Sequence, residues 1–284
     1  METILVPTDF SSDAINAVKY AVHFAQETGR NIVFFHVTHK DIPTALAHDV
    51  YLKKVKEDID RASTALHAHI EKIYESSQLV YHPKKVTFDV KFGHNAQDEI
   101  VDAAEAHKVA LIIMGTHGAT GLKKIFFGSN TVGVLKKGHC PVLAIPANAK
   151  YTTIEHIGYS SNLEDLDTEV AKILPIVKKF NASLDIFNVY PVYPSNINYA
   201  TFDAEKRVEI LKEKHQYKKL SLTLINRPKE NDLEGGMEEF IHKFKPDLII
   251  MFSKTRDWFE RLTSPSATED IALNPKVPLL SIKV

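Results

Sequence analysis

Apolar residues along the chain gather into short continuous runs, separated by longer stretches with a helical period. Glu2–Val6, Asn31–Val37, Lys85–Val90, Ala110–Met114 and Val142–Ile145 are rich in Val, Ile, Leu and Phe and read as strands buried on both faces. Asp13–Thr28 sets Ala14, Ala17, Val18, Ala21, Val22 and Ala25 along one side of a helix, with Ser11 or Ser12 placed to cap it and Gly29 to stop it. Leu46, Val50, Val55, Ile59, Ala62, Leu66, Ile70 and Ile73 step by three to five residues, the pattern of one long amphipathic helix. Asn95–Ala106 and Thr131–Lys137 are shorter helices. The order βαβαβαβαβ predicts a parallel sheet covered by helices on both faces, and right-handed crossovers make it doubly wound.

The pattern then repeats. Leu111–Ile145 lies over Leu248–Ile282 without a gap, sharing Leu-Ile-Ile-Met at the start and pairing Ser129 with Ser266, Thr131 with Thr268 and Pro141 with Pro278. Upstream, Val33–Val37 lies over Asp185–Val189, and Gly29 falls opposite Asn181, two residue types that tolerate the left-handed end of a helix. The second copy is shorter in its middle. Its strands are His156–Gly158, Leu184–Val189, Ser221–Ile225, Leu248–Phe252 and Leu279–Val284. The expected fold class is α/β: two tandem, doubly wound, five-stranded parallel-sheet domains of Rossmann-like type, at residues 1–147 and 151–284.

In an open parallel sheet a ligand sits at the carboxyl ends of the strands, where the strand order reverses. For the first copy this falls beside the first strand in a flavodoxin-like order, or between the first and fourth strands in the order 3-2-1-4-5. The ends of those two strands carry Pro7-Thr8-Asp9 and Gly115-Thr116-His117-Gly118, the latter running on to Gly128-Ser129-Asn130-Thr131. Gly115 and Gly118 let backbone approach a ligand closely. Gly128-Ser129 opens a helix, whose unpaired amides and positive dipole end favour an anion. Lys123 and Lys124 lie on the intervening loop, as extra charge or as a solvated pair. No Walker A sequence and no Gly-x-Gly-x-x-Gly occurs.

The first copy resembles a universal stress protein domain of the ATP-binding kind. The resemblance rests on the Gly115-x2-Gly118-x9-Gly128-Ser129 spacing, the opening ILVPTDFS, the FFHV strand and the closing CPVLAIP. The whole chain resembles the tandem members of that family. The resemblance implies an adenine nucleotide alpha hydrolase-like fold and a site for ATP, ADP or AMP. Pro7 and Thr8 would line the pocket, with Asp9 at the adenine-ribose end and Val37 recognising adenine through its backbone. Met114 and Gly115 would flank the sugar, and Gly118, Gly128, Ser129, Asn130 and Thr131 would surround the phosphates, with His117 nearby. Mg²⁺ would bind through phosphate oxygens and waters rather than in a protein cage. The two domains would pair through their last strands as a pseudo-dimer, with a homodimer as a further expectation.

The second copy departs from this pattern. Phe252 stands opposite Gly115, Thr255 opposite Gly118, Pro265 opposite Gly128 and Ser161 opposite Asp9, so the same nucleotide mode is not expected there. Trp258 and Phe259, beside Arg256 and Arg261, read as core, lid or partner surface.

Composition narrows the remaining classes. The net charge is −1, which gives no general field for nucleic acid or an acidic membrane surface. Cys140 is the single cysteine, so no disulfide framework or cysteine zinc site can form within the chain. METILVPTDF reads as a strand rather than a leader, which makes the cytoplasm the expected location. His36, His39, His94 and His117 could converge, but no HExxH or similar spacing supports a metal site. No catalytic residue is named by any motif. The expected function is a nucleotide-binding stress-response module. The alternatives are a slow ATPase, or a protein or small-ligand binding module with a vestigial nucleotide site.

Overall fold

The computed structural model describes residues 2–43, 46–116, 128–191, 197–227, 232–253 and 277–283. It divides into two compact units, Met1–Tyr151 and Thr152–Val284. The first contains β1 (Thr3–Pro7), α1 (Ser12–Thr28), β2 (Asn31–Thr38), α2 (His48–Ser76), β3 (Val86–Phe92), α3 (Ala96–Ala106), β4 (Leu111–Gly115), α4 (Ser129–Lys137) and β5 (Val142–Ile145). Its strands pair in parallel in the order β3-β2-β1-β4-β5, with Leu5 level with Val33 on one side and Ile112 on the other. The order therefore reverses between β1 and β4.

The second unit contains β6 (His156–Ser160), α5 (Leu166–Lys179), β7 (Ser183–Pro191), α6 (Ile197–His215), β8 (Leu220–Arg227), α7 (Leu233–Phe244), β9 (Leu248–Ser253) and β10 (Leu279–Lys283). Its parallel order, β8-β7-β6-β9-β10, is that of the first unit with each strand replaced by its counterpart. Both units are thus doubly wound α/β sheets.

Local chemistry explains the element ends. Ser11 caps α1, its hydroxyl accepting from the Ala14 N–H, and Gly29 ends it at φ 74°, its own N–H donating to the Ala25 carbonyl. Asn181 takes the same left-handed conformation after α5, at φ 53°. The helix predicted from Leu46 is α2, and its buried apolar residues all fall in its later half. Leu66, Ile70, Ile73 and Tyr74 are buried, whereas Val50 and Leu52 are exposed. Twenty-nine residues of helix run about 43 Å, against about 26 Å for a strand as long as β2. The first turns of α2 therefore overhang the sheet.

The first core layer places Leu5, Phe35, Ile112 and Met114 of the sheet against Ile100, Ala103 and Ala104 of α3 and Val134 of α4. In the second unit Phe187, Ile249 and Met251 meet Met237 and Phe240 of α7, with the Phe187 and Phe240 rings stacked at 4.0 Å. Among the described residues no helix is long and apolar enough to cross a membrane.

Candidate functional site

The end of β1 is pinned by its neighbour. The Thr8 N–H donates to the Phe35 carbonyl at 2.9 Å, continuing the ladder one step past the strand. The Thr8 carbonyl faces His36 Nδ1 at 2.8 Å. A carbonyl only accepts, so this nitrogen carries the proton. The chain then turns: the Phe10 N–H donates to Thr8 Oγ1 at 3.2 Å and the Ser11 N–H to Asp9 Oδ1 at 3.0 Å. Phe10 itself is left-handed at φ 63°, its ring lodged 4.6 Å from His36 and 5.3 Å from His69. Asp9 is thereby presented at the surface where α1 begins.

Beside it, β2 runs on beyond β1. In a parallel strand the N–H and C=O of one residue point to the same side, and alternate residues point to opposite sides. Phe35 bonds toward β1, and the Thr38 carbonyl accepts from Gly93 on the β3 side. Val37 therefore directs its N–H and C=O toward β1, into the space past the end of that strand. The rim there is fastened by Asp58, a buried carboxylate on α2 that accepts from the Thr38 hydroxyl at 2.6 Å and pairs with Arg61. The Thr38 hydroxyl holds this carboxyl below the usual aspartate range against the opposing effect of burial, and Arg61 and Lys40 add to the lowering.

Across the reversal point lies the start of α4. Gly128 is its N-cap at φ −61° and ψ 158°, and no side chain caps the helix. The Gly128 N–H donates to the Thr116 carbonyl, and Thr131 Oγ1 donates to the Gly115 carbonyl at 2.8 Å. The helix entrance is therefore tied to the end of β4. The amides of Ser129, Asn130 and Thr131 come before the first intrahelical donor, the Val132 N–H that bonds the Gly128 carbonyl, so they find no acceptor within the helix and lie at the positive end of its dipole.

Between these ends is a cleft of about 200 Å³. Pro7, Thr8 and Asp9, Val37, Met114 and Gly115, and Gly128, Ser129, Asn130 and Thr131 all line it. His117 and Gly118, with Lys123 and Lys124, lie outside the described residues. Ala14, Phe35, Ala96 and Ile100 complete the wall and were not singled out by sequence. They carry no chemistry that a motif would flag, although the topology places the start of α3 beside this crevice. One wall is thus flat and apolar, and the opposite end offers amides. Among the described residues no three His, Cys, Asp or Glu side chains gather as metal ligands.

The second unit builds the same turn differently. The Ser161 N–H donates to the Phe187 carbonyl at 2.9 Å, and Asn188 Nδ2 donates to the Ser161 carbonyl at 2.8 Å. The Leu163 N–H donates to Ser161 Oγ, the Glu164 N–H to Asn162 Oδ1, and Leu163 is left-handed at φ 66°. Ser161 therefore matches Thr8, and Asn162 matches Asp9. This corrects the pairing of Ser161 with Asp9, because the β1-to-β6 spacing exceeds the β2-to-β7 spacing by one residue. Opposite Asp9 the second unit has a neutral amide.

The ring of Phe252, the residue opposite Gly115, lies edge-on to Tyr159 at 5.7 Å, with Lys172 of α5 5.9 Å from its centroid. On the cleft side α7 comes down closely onto the sheet. A Cβ on Gly236 would sit 2.4 Å from Val189 Cγ2, so the helix backbone rests directly on the counterpart of Val37. Leu233 and Met237 stand where the first unit has Ala96 and Ile100. Thr255, Pro265, Trp258, Phe259, Arg256 and Arg261 lie outside the described residues.

The first unit is a doubly wound α/β domain with a cleft where its strand order reverses, apolar at one end and framed by helix amides at the other. Residues 1–146 match the profile of the universal stress protein family, and the chain belongs to that family. Over 142 residues it is 30% identical to universal stress protein MJ0531 of Methanocaldococcus jannaschii, covering 50% of this chain and 80% of that one. Over 153 residues it is 33% identical to universal stress protein MJ0577 of the same organism, covering 50% and 93%. Over nearly the whole chain its fold resembles a universal stress protein from Archaeoglobus fulgidus, with a TM-score of 0.65 at 19% identity, covering 99% of this chain and 98% of that one.

Proposed function

We propose that the first unit binds an adenine nucleotide, ATP, ADP or AMP, and that the protein acts as a nucleotide-responsive module in the stress response. The observation that carries this is the pairing of two unlike ends in one cleft. Val37 offers one backbone donor and one backbone acceptor at the edge of β2, beside the apolar surfaces of Phe35, Ile100 and Met114. A flat base fits that wall. Adenine presents an amino donor and a ring-nitrogen acceptor to such a pair, whereas guanine presents a carbonyl acceptor and a ring N–H donor.

At the other end the uncapped amides of Ser129, Asn130 and Thr131 suit phosphate oxygens. Asp9, on the rim between them, suits ribose hydroxyls. The residues present therefore fit the nucleotide. Mg²⁺ would neutralise phosphate charge from the solvent side, held by phosphate oxygens and water. Bound nucleotide shifts the protein only by its differential affinity for two states, so its expected role is to favour one conformation or assembly.

Titration calorimetry on the full chain tests this reading. Mg-ATP is expected to bind at one site per chain, and GTP at least about tenfold more weakly, as expected when a buried donor and acceptor are mismatched. No heat with ATP, equal binding of GTP, or two equivalent ATP sites would overturn it.

A further inference from the structure

Gln97 takes no part in lining the cleft, yet it joins the two helices that frame it. It is the second residue of α3, after the cleft-lining Ala96, and its backbone N–H is held by the capping Asn95 Oδ1 at 3.2 Å. Its side chain crosses to α4, where Nε2 donates to the Ser129 carbonyl at 3.0 Å. An accepting carbonyl at that position requires the amide's NH₂ end to face it. The Ser129 carbonyl already serves the first turn of α4 as an intrahelical acceptor, so Gln97 uses its second lone pair.

The crossing is possible because residue 133 has no side chain. A Cβ on Gly133 would stand 2.0 Å from Gln97 Oε1 and 2.1 Å from Cδ. The amide therefore lies flat on the backbone of α4, one turn beyond Ser129. A second link, Lys137 Nζ to Asp98 Oδ1 at 2.6 Å, joins the same helices farther along. It is exposed at both ends and contributes little.

Resting on the nucleotide reading above, the geometry points to Gln97 as a positioning residue for the phosphate end of the site. Thr131 ties the α4 entrance to β4, and Gln97 ties it to α3. Two side-chain tethers, added to the Gly128 backbone bond, set both the depth and the rotation of the Ser129–Thr131 amides. An oxyanion cradle depends on that geometry to within a few tenths of an ångström. The wall of the base end, Val37 with Phe35, Ile100 and Met114, does not include Gln97. The tether should therefore be read in affinity for phosphates and not in affinity for the nucleoside.

Two variants break the tether from opposite sides. Gln97→Met removes the donor while keeping a long side chain. Gly133→Ala leaves Gln97 intact but drives its amide off the helix, a shift open to the free end of a flexible side chain. Alanine also has the higher helix propensity, so this variant should hold or raise thermal stability while losing phosphate affinity. A merely structural contact would not give those opposite signs.

Calorimetry with Mg-ATP and with adenosine, on the full-length wild type and both variants, provides the test. The expected result is about a fivefold loss of ATP affinity in each variant, with adenosine changed less than twofold. Equal losses for ATP and adenosine, or no loss for ATP, would overturn the assignment of Gln97 while leaving nucleotide binding standing. A wild type that binds neither ligand would overturn both.

Discussion

Replacing Thr131 by Val removes one hydroxyl from the site and little else. The hydroxyl donates to the Gly115 carbonyl at 2.8 Å, and Thr131 is only 2% exposed. Valine has the same shape, so no cavity opens. What changes is that a buried carbonyl at the end of β4 loses a donor and gains a methyl neighbour. The lost bond and the desolvated acceptor together cost about 1–3 kcal/mol. Thr131→Ser is the control: it keeps the bond and loses one buried methyl, at about 0.8 kcal/mol. Native-state hydrogen exchange of the full chain reads the first unit alone, through the amides of Ile112, Ile113 and Met114. If these exchange by unfolding of their unit, Thr131→Val should speed them by about 5- to 140-fold and Thr131→Ser by about fourfold. The reasoning is refuted if the Val variant exchanges at the wild-type rate, or more slowly than the Ser variant.

Two further perturbations follow from other parts of the fold. Asp58→Asn should lower stability by about 1–3 kcal/mol at neutral pH, since the ionised carboxylate accepts from Thr38 and pairs with Arg61. Because its folded pKa is depressed, this contribution is present above the unfolded value of about 4 and is lost as pH falls through the folded pKa. Urea midpoints should therefore differ at pH 7 and draw together as pH falls below about 4, and a gap that stays constant would contradict the assignment. Gly158→Ala places a Cβ 2.4 Å from Phe240 Cε1 and 2.8 Å from Ile249 Cδ1, against a fully buried ring that cannot swing away. It should destabilise the second unit by about 1–3 kcal/mol, and unchanged exchange at Ile249 and Ile250 would count against that packing.

The strands and the repeat were legible in the sequence because both are written in local patterns: runs of Val, Ile and Phe, a helix stop at Gly29, and the parallel between Leu111–Ile145 and Leu248–Ile282. The motif residues at the ends of β1 and β4 and at the start of α4 were legible because backbone approach demands glycine and an amide cradle demands a helix entrance. What escaped was of two kinds. Ala96 and Ile100 form part of the wall, but nothing marks them apart from ordinary core residues until the topology brings α3 to the crevice. Gln97 acts through a contact 32 residues away in the chain, and Gly133 looks like a neutral residue within a helix until Gln97 is seen resting on it. The shift of Asp9's counterpart from Ser161 to Asn162 was hidden by a single-residue change in spacing, visible only in the matching turn hydrogen bonds.

The two units share one architecture and differ in the packing beside the crevice. Each carries the same strand order, the same left-handed residue after its first strand, and the same side chain clamping the carbonyl there, His36 in one and Asn188 in the other. They diverge in how the helix after the third strand settles on the sheet. In the first unit Ala96 begins that helix beside the cleft, and Val37 keeps its backbone edge clear. In the second, Gly236 lacks the side chain that would hold the helix away, so its backbone descends onto Val189 while Leu233 packs against the core beside it. The close approach of α7 thus follows from a glycine in a helix, and the bracing of the α4 entrance in the first unit follows from a glycine that admits Gln97. The same residue type brings a helix down beside one crevice and braces the other, because in each case the absent Cβ decides which neighbour may approach.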